Sequence, residues 1–199
     1  GGGLSGGTRQ SYFEAQWDFA STVPAAEQPG LSVVASPDRG DGARMSWVQM
    51  ADTATGLEVS FYDYAVGNTT DTGPCNCPPF RFTTVASGLD RAVPHTIRVT
   101  MDFLDGPEND IVRVYVDGVL RHTGTSWEDY FRQEESNPTR TVDSILFRTA
   151  GTAAPDTAGK GFLVDNLSLF SGFAVPSLAP CVGVVDPPST YRLTADCTT

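Results

Sequence analysis

The sequence predicts an all-β fold: antiparallel strands packed as a two-sheet sandwich, with one short helix and an extended C-terminal tail. Three observations carry this. From His95 to Thr123 the chain alternates with period two, Ile97, Val99, Met101 and Phe103 on one face, Thr96, Arg98, Thr100 and Asp102 on the other, the mark of a half-buried strand. A polar turn over 105–110 leads into a second strand with Val112, Val114 and Val116 inward, and Asp117-Gly118 closes a tight hairpin, because a two-residue primed turn needs positive φ. Near the start, Phe13, Ala15, Trp17 and Phe19 alternate with Glu14, Gln16 and Asp18. Three strands in one short stretch bury too little to stand alone, so they belong to a larger sheet.

The remaining elements follow in order. The run 12–19 is an early strand expected beside the closing one. Residues 31–35 form a short buried run, and 37–42 (Pro-Asp-Arg-Gly-Asp-Gly) carry turn chemistry. Strand 44–50 is expected to turn Met45 and Trp47 inward, with a turn over 51–56. Leu57, Val59 and Phe61 then alternate against Glu58, Ser60, Tyr62 and Tyr64. A long loop over 66–79 precedes a strand at 80–85. After the central hairpin, Thr125 with Glu128, or Ser126 with Asp129, has capping-box spacing, and Trp127, Tyr130, Phe131 and Glu134 fall on one side of a short helix. That helix is expected over a sheet edge or an open end of the sandwich, with Glu128-Asp129 as its N-terminus and Glu134-Glu135 as a solvated face. Strands at 142–148 and 162–170 complete the set. The chain divides into a Gly-rich N-terminus (1–9), the sandwich (10–172) and a Pro-rich, Cys-containing tail (173–199).

Composition limits the partners. Twenty-four acidic against 13 basic residues leave a net charge of −11, which disfavours nucleic acid, since phosphate binding needs clustered Lys and Arg. No run approaches the roughly 18 apolar residues of a membrane span, and no leader segment is visible, so the chain reads as cytosolic or already processed. Four cysteines, Cys75, Cys77, Cys181 and Cys197, suit disulfides and an oxidising compartment. Three pairings are open. Cys181–Cys197 is favoured, closing the tail at about 3 kcal/mol in the chain-entropy model, which leaves Cys75–Cys77 as a small strained ring. Zinc is disfavoured, because Cys-x-Cys misses the usual spacing and only two histidines exist.

A histidine before an alternating strand, a turn, then Val114-Tyr115-Val116-Asp117-Gly118-Val119-Leu120, resembles the core of concanavalin A-like and laminin-G-like jelly-roll sandwiches. The run Gly159-Lys160-Gly161-Phe162-Leu163-Val164-Asp165-Asn166-Leu167-Ser168-Leu169 resembles their closing strand. The resemblance covers residues 10 to 172. It implies the architecture and leaves the reaction open, since such sandwiches include lectins, glycan-binding modules, glycosidases and polysaccharide lyases.

Catalytic patterns were weighed against structural ones. The E-x-D-x-x-E pattern of sandwich glucanases is absent; Glu14 and Asp18 share a face with Gln16 between them. The lyase strand motifs are missing, although Arg98 and Arg113 are expected on one face; His95, after Pro94, reads as a strand-start residue bonded to backbone. Sugar binding needs aromatic platforms with planar polar groups, for which Trp127, Tyr130, Arg132, Tyr62 and Tyr64 are the candidates. Asp105, Glu108, Asn109 and Asp110 crowd oxygen ligands into six residues, where a structural calcium and a plain Asx turn are both open readings. Asp18 and Asp165 could meet on the terminal strands. The expectation is a secreted or cell-surface, non-catalytic module that binds glycan or another extracellular partner. The alternatives are a structural subunit that self-assembles through its termini and a polysaccharide-active enzyme.

Overall fold

The structure, a computed structural model, describes residues 10–38, 43–69, 79–135, 142, 144–150 and 161–173. Its elements are β1 (Tyr12–Ser21), β2 (Ser32–Asp38), β3 (Trp47–Thr53), β4 (Gly56–Tyr64), β5 (Phe80–Leu89), β6 (His95–Asp102), β7 (Ile111–Val116), β8 (Val119–Gly124), α1 (Glu128–Gln133), β9 (Ser144–Ala150) and β10 (Phe162–Gly172). Among the described residues the strands form two antiparallel five-stranded sheets. The first runs β10-β1-β6-β7-β8 and the second β5-β4-β3-β2-β9. The first and last strands are neighbours, and the two sheets stack as the expected antiparallel jelly-roll sandwich. The four cysteines, and with them every disulfide pairing, lie outside the described residues.

Alternation decides what fills the core. On β1, Phe13, Ala15, Trp17 and Phe19 are buried, and the register sets Trp17 beside Ile97, Ala15 beside Val99 and Phe13 beside Met101. Val112, Val114 and Val116 of β7 complete the inner face of the first sheet. Facing them are Ala35 of β2, Val48 and Met50 of β3, and Leu57, Val59 and Phe61 of β4. Trp17 spans the interface: its indole N–H donates to Met50 Sδ at 3.4 Å, and its ring meets Phe147 of β9 edge-on at 5.6 Å. The hairpin between β7 and β8 takes the expected form, with Asp117 at φ 52° and Gly118 at φ 76°. His95 also behaves as expected, its ring nitrogens lying 3.0 Å from the Asp90 carbonyl and 2.8 Å from Asp117 Oδ2.

Several expected boundaries and one phase are corrected. β3 begins at Trp47, three residues later than 44, and Val48 and Met50 point inward while Trp47 points outward. A bend at Met45 resets the alternation: Met45 is buried ahead of the ladder, its N–H donating to Pro37 O and its carbonyl accepting Trp127 N–H. β2 runs on through Pro37 to Asp38, where a turn was expected. This is tolerated because Pro37 O accepts from Met45, so its nitrogen faces the β3 side, where the ladder has ended at Ala35–Val48, rather than β9. The turn expected over 51–56 shrinks, since β3 reaches Thr53 and β4 starts at Gly56. There φ is +134° and a Cβ would lie 2.6 Å from Leu89 O. Gly124 is required for space alone: a Cβ would lie 2.5 Å from Asp63 Oδ2 and 2.7 Å from Phe61.

Helix α1 is where sequence reading of the charges fails. Neither capping box forms. The N-cap is Trp127, without a side-chain cap, and Ser126 accepts Glu128 N–H at 3.0 Å while donating to Asp110 at 2.5 Å. Asp129 accepts the Glu108 N–H, and Asp110 accepts the Leu104 N–H. Glu128 and Asp129 lie in the first turn of the helix, as expected, and are both buried. The helix is thus latched onto the 104–110 turn through carboxylates. Arg132 pairs with Glu128 from the next turn of the helix. Burial, followed by the neighbouring Asp110 charge, pushes the Glu128 carboxyl up to about 7; burial likewise raises Asp110.

Two outcomes follow from this packing. Trp17→Ala removes a fully buried ring that meets no solvent and should cost about 3–5 kcal/mol of stability, read from urea unfolding at constant slope. Because the folded-state pKa of Glu128 is raised, its contribution to stability is complete below the ordinary carboxylate pKa and declines as pH rises toward about 7. The melting temperature should therefore fall by a few degrees between about pH 5 and about pH 8, and Glu128→Gln should flatten that slope. An unchanged slope in Glu128→Gln would show that the group does not titrate in this window.

Candidate binding groove on the second sheet

The two outer faces of the sandwich differ in kind. On the first sheet the outward side chains satisfy one another. Arg98 bridges to Glu14 at 3.4 Å and lies over the Tyr115 ring at 3.8 Å, and Arg113 pairs with Asp102 at 2.5 Å. Asp18 accepts from Thr96 and from Asn166, each at 2.6 Å, which lowers its pKa. Asp18 and Asp165 are cross-strand register partners, as anticipated, and Asp165 is engaged with the Asn166 N–H. Arg98 and Arg113 share this face as expected. The face reads as a paired charge ladder.

The outer face of the second sheet is aromatic. Alternation sends Trp47 out from β3, Tyr62 and Tyr64 from β4, and Phe80 and Phe82 from β5, with Tyr62 opposite both Trp47 and Phe82. Helix α1 lays Trp127 and Tyr130 across them. Phe80 stacks on Tyr62 at 5.2 Å and 21°, and contacts Trp127 at 4.7 Å and Tyr130 at 5.4 Å; Trp47 meets Tyr62 edge-on at 5.4 Å. Trp127 is held by its indole N–H, which donates to Tyr62 O at 2.8 Å, and by its backbone N–H to Met45 O. The helix, expected at an edge or open end, covers part of this face at the sandwich end where β4 finishes and β5 begins.

Between the helix and the sheet lies an open cavity of about 340 Å³, whose lining includes Arg44, Trp47, Tyr62, Phe80, Trp127, Tyr130 and Glu135. This is the small end of the ~300–1,000 Å³ range of ligand pockets. The Arg44 guanidinium sits 5.1 Å from the Trp47 ring centre. Burial, then repulsion from Arg148, lowers the Arg44 pKa, with Asp38 opposing. Arg148 itself bridges to the buried Asp38 at 3.3 Å. Among the described residues the charges of Arg44 and Arg148 thus both act near Asp38 at this end of the face, with Glu135 also on the cavity lining.

Four polar atoms on or beside this face are buried without a protein hydrogen-bond partner: Arg44 Nε, Trp47 Nε1, Gln49 Oε1 and Ser36 Oγ. Buried polar groups are almost always satisfied, and of these four exceptions only Arg44 and Trp47 belong to the residues that line the cavity. A polar strip continues across the strands, Gln49 donating to Ser32 at 2.5 Å and Ser60 to Glu58 at 3.2 Å. The tyrosines are held as phenols. Tyr64 donates to Glu134, and burial with that bond pushes it up to about 12; burial and a bond to Glu135 raise Tyr130.

Of the sequence candidates, Tyr62, Trp127 and Tyr130 converge on the cavity. Tyr64 is buried behind Phe80 and Tyr130, and its hydroxyl points to Glu134. Arg132 is taken up by Glu128 and does not line the cavity. Arg44, Trp47, Phe80 and Glu135 were missed. Trp47 is expected in the core because of the misplaced phase of its strand; the Phe80-x-Phe82 spacing was an available signal for Phe80, and no local pattern pointed to Arg44 or Glu135. In the oxygen-rich turn, Asp110 faces α1 and Ser126, Asp105 offers its backbone carbonyl to Asn109, and Glu108 contributes its N–H to Asp129. Among the described residues no three His, Cys, Asp or Glu side chains converge as a metal site.

No protein-family model matches the sequence, and no curated protein matches it. Among solved structures the chain is similar to an alginate lyase from Pseudomonas aeruginosa, at 11% identity and a TM-score of 0.48, covering 81% of this chain and 65% of that one. It thus spans just under two thirds of that lyase's length. It is also similar to an endo-β-1,4-glucuronan lyase from the fungus Trichoderma reesei, at 11% identity and a TM-score of 0.41, covering 83% of this chain and 71% of that one.

Proposed function

We propose that the aromatic groove on the second sheet binds a segment of polysaccharide, and that the chain serves as a non-catalytic binding module, secreted or at the cell surface. The single observation that carries this is the cavity itself: an open groove lined by aromatic rings beside the Arg44 guanidinium. Sugar rings present C–H faces that suit Trp47 and Tyr130, and hydroxyls that suit the Arg44 guanidinium. The positive charge of Arg44, reinforced by that of Arg148, favours a sugar that carries a carboxylate. The extracellular placement rests on the four cysteines, and a role for calcium rests on the oxygen-rich turn that borders α1.

A second reading, a polysaccharide-active enzyme, is favoured by one observation. Tyr130 stands at the cavity with its phenol kept protonated, which suits a proton donor to a leaving oxygen. Against it, the tyrosines are shifted away from acting as bases, and the acidic groups Glu134 and Glu135 are bonded to them.

Titration calorimetry with acidic and neutral polysaccharides, with and without calcium, tests the main reading. Trp47→Ala and Arg44→Ala should each weaken binding roughly tenfold or more, about 1.4 kcal/mol, without changing the melting temperature by more than a few degrees. Trp127→Ala is a poor probe, because that ring is an anchor of the helix and its loss would unfold the groove. Absence of binding to every polysaccharide class would overturn the proposal. Release of unsaturated or reducing ends, abolished by Tyr130→Phe, would replace it with the enzymatic reading.

A further inference from the structure

The lining of the groove carries charges of both signs, and they come from different elements. Arg44 precedes β3 and lies 5.1 Å from the Trp47 ring centre. Glu135 follows α1, is exposed, and accepts a hydrogen bond from the Tyr130 hydroxyl. Trp47 and Tyr130 keep part of their ring surface open, whereas Tyr62 and Trp127 are buried and form the floor. Trp127 joins the two open rings, its ring centre 6.2 Å from each. The groove thus offers two stacking platforms with opposite neighbours, a guanidinium beside Trp47 and a carboxylate beside Tyr130.

Each charge has its own surroundings. The charged groups acting on Arg44 are Arg148 of β9 and Asp38 of β2. Those acting on Tyr130 are Glu135 and Glu134, just past the last turn of α1. Arg132 does not neutralise that end, because it pairs with Glu128 and lies 3.9 Å from Asp129. The bond from the phenol leaves the Glu135 charge in place and its remaining lone pairs open to other donors. A saccharide lying across both open rings sets the substituents of one sugar at Arg44 and those of another at Glu135. A carboxylate is attracted at the first position and repelled at the second, where a hydroxyl or amide N–H is accepted instead.

Given the reading of the groove as a polysaccharide site, on which this rests, we propose that Glu135 sets its specificity. It admits acidic polysaccharides in which carboxylate-bearing sugars are interspersed with neutral ones, and it rejects those with a carboxylate on every sugar. The acidic sugar stacks on Trp47 with its carboxylate at Arg44. The neutral sugar stacks on Tyr130, and its hydroxyl or amide group donates to Glu135. The rejection is local: it comes from the carboxylate in the cavity lining, not from the net charge of −11, which the loss of any one acidic side chain changes equally.

Titration calorimetry of the full chain with size-matched fractions of two polysaccharides tests the proposal. One is a polyuronate; the other has a single uronic acid among neutral sugars in each repeat. The expected result is at least tenfold tighter binding of the mixed chain, a preference that falls below about threefold in Glu135→Gln. Glu134→Gln makes the same change in net charge, but its carboxylate is turned to Tyr64 and does not line the cavity, so the full preference should remain. Equal affinities in the unaltered chain, or tighter binding of the polyuronate, overturn the proposal. So does a preference that survives Glu135→Gln or is lost equally in Glu134→Gln. Weakening of whichever polysaccharide binds by Arg44→Gln shows the groove in use, so such a failure falls on the role of Glu135 alone. Binding of neither polysaccharide overturns the polysaccharide reading of the groove, and the role of Glu135 with it.

Discussion

The structure depends on Trp17. This ring stands at the centre of the first strand, reaches across the interior to Met50, and meets Phe147 from the far edge of the second sheet. Because side chains alternate along a strand, committing Trp17 inward also commits Phe13, Ala15 and Phe19. The shared register then commits Ile97, Val99 and Met101 on β6. A one-residue slip would expose this whole row and bury Glu14, Gln16 and Asp18. The sandwich is therefore strongly specified at its core, and the two outer faces are free to differ.

They differ according to what covers them. The outer face of the first sheet carries arginines and carboxylates at cross-strand positions, and the groups neutralise one another in place. The outer face of the second sheet carries aromatic rings that the sandwich core does not need. Those rings are retained by a six-residue helix too short to be stable alone. Its stability comes from outside: Trp127 and Phe131 are buried, and Ser126, Glu128 and Asp129 are tied to the 104–110 turn. The same helix thus forms one wall of the cavity and is held by carboxylates with perturbed protonation. Groove geometry and the electrostatics of the latch belong to one unit.

The arginines give the groove its polarity. In a chain with nearly twice as many acidic as basic residues, Arg44 and Arg148 lie close enough that their repulsion adds to burial in lowering the Arg44 pKa, with the buried Asp38 opposing. Stacking of Arg44 near Trp47 joins the charged and aromatic parts of the face, a combination suited to a ligand with an apolar face and an anionic substituent.

Sequence alone determined the features that rest on local periodicity: the antiparallel strands, the inward rows of β1, β6, β7 and β4, and the Asp117-Gly118 hairpin; the pairing of first and last strands was implied by the jelly-roll resemblance. Period-two burial and positive-φ turn chemistry act within a few residues, so they can be read without knowing the neighbours. The candidate site was legible in part, Tyr62, Trp127 and Tyr130 being visible as aromatics on polar faces or on a helical stripe. Tertiary structure alone decided the rest. The outward turn of Trp47 depends on a bend at Met45 created by bonds to Pro37 and Trp127, residues distant in sequence. Burial of Glu128 and Asp129 depends on partners some twenty residues earlier, at Glu108 and Asp110, so the local pattern could place them at a helix start without showing that they are buried. Arg44 enters the groove because β2, β3 and α1 converge on it, a meeting of segments that no local pattern encodes.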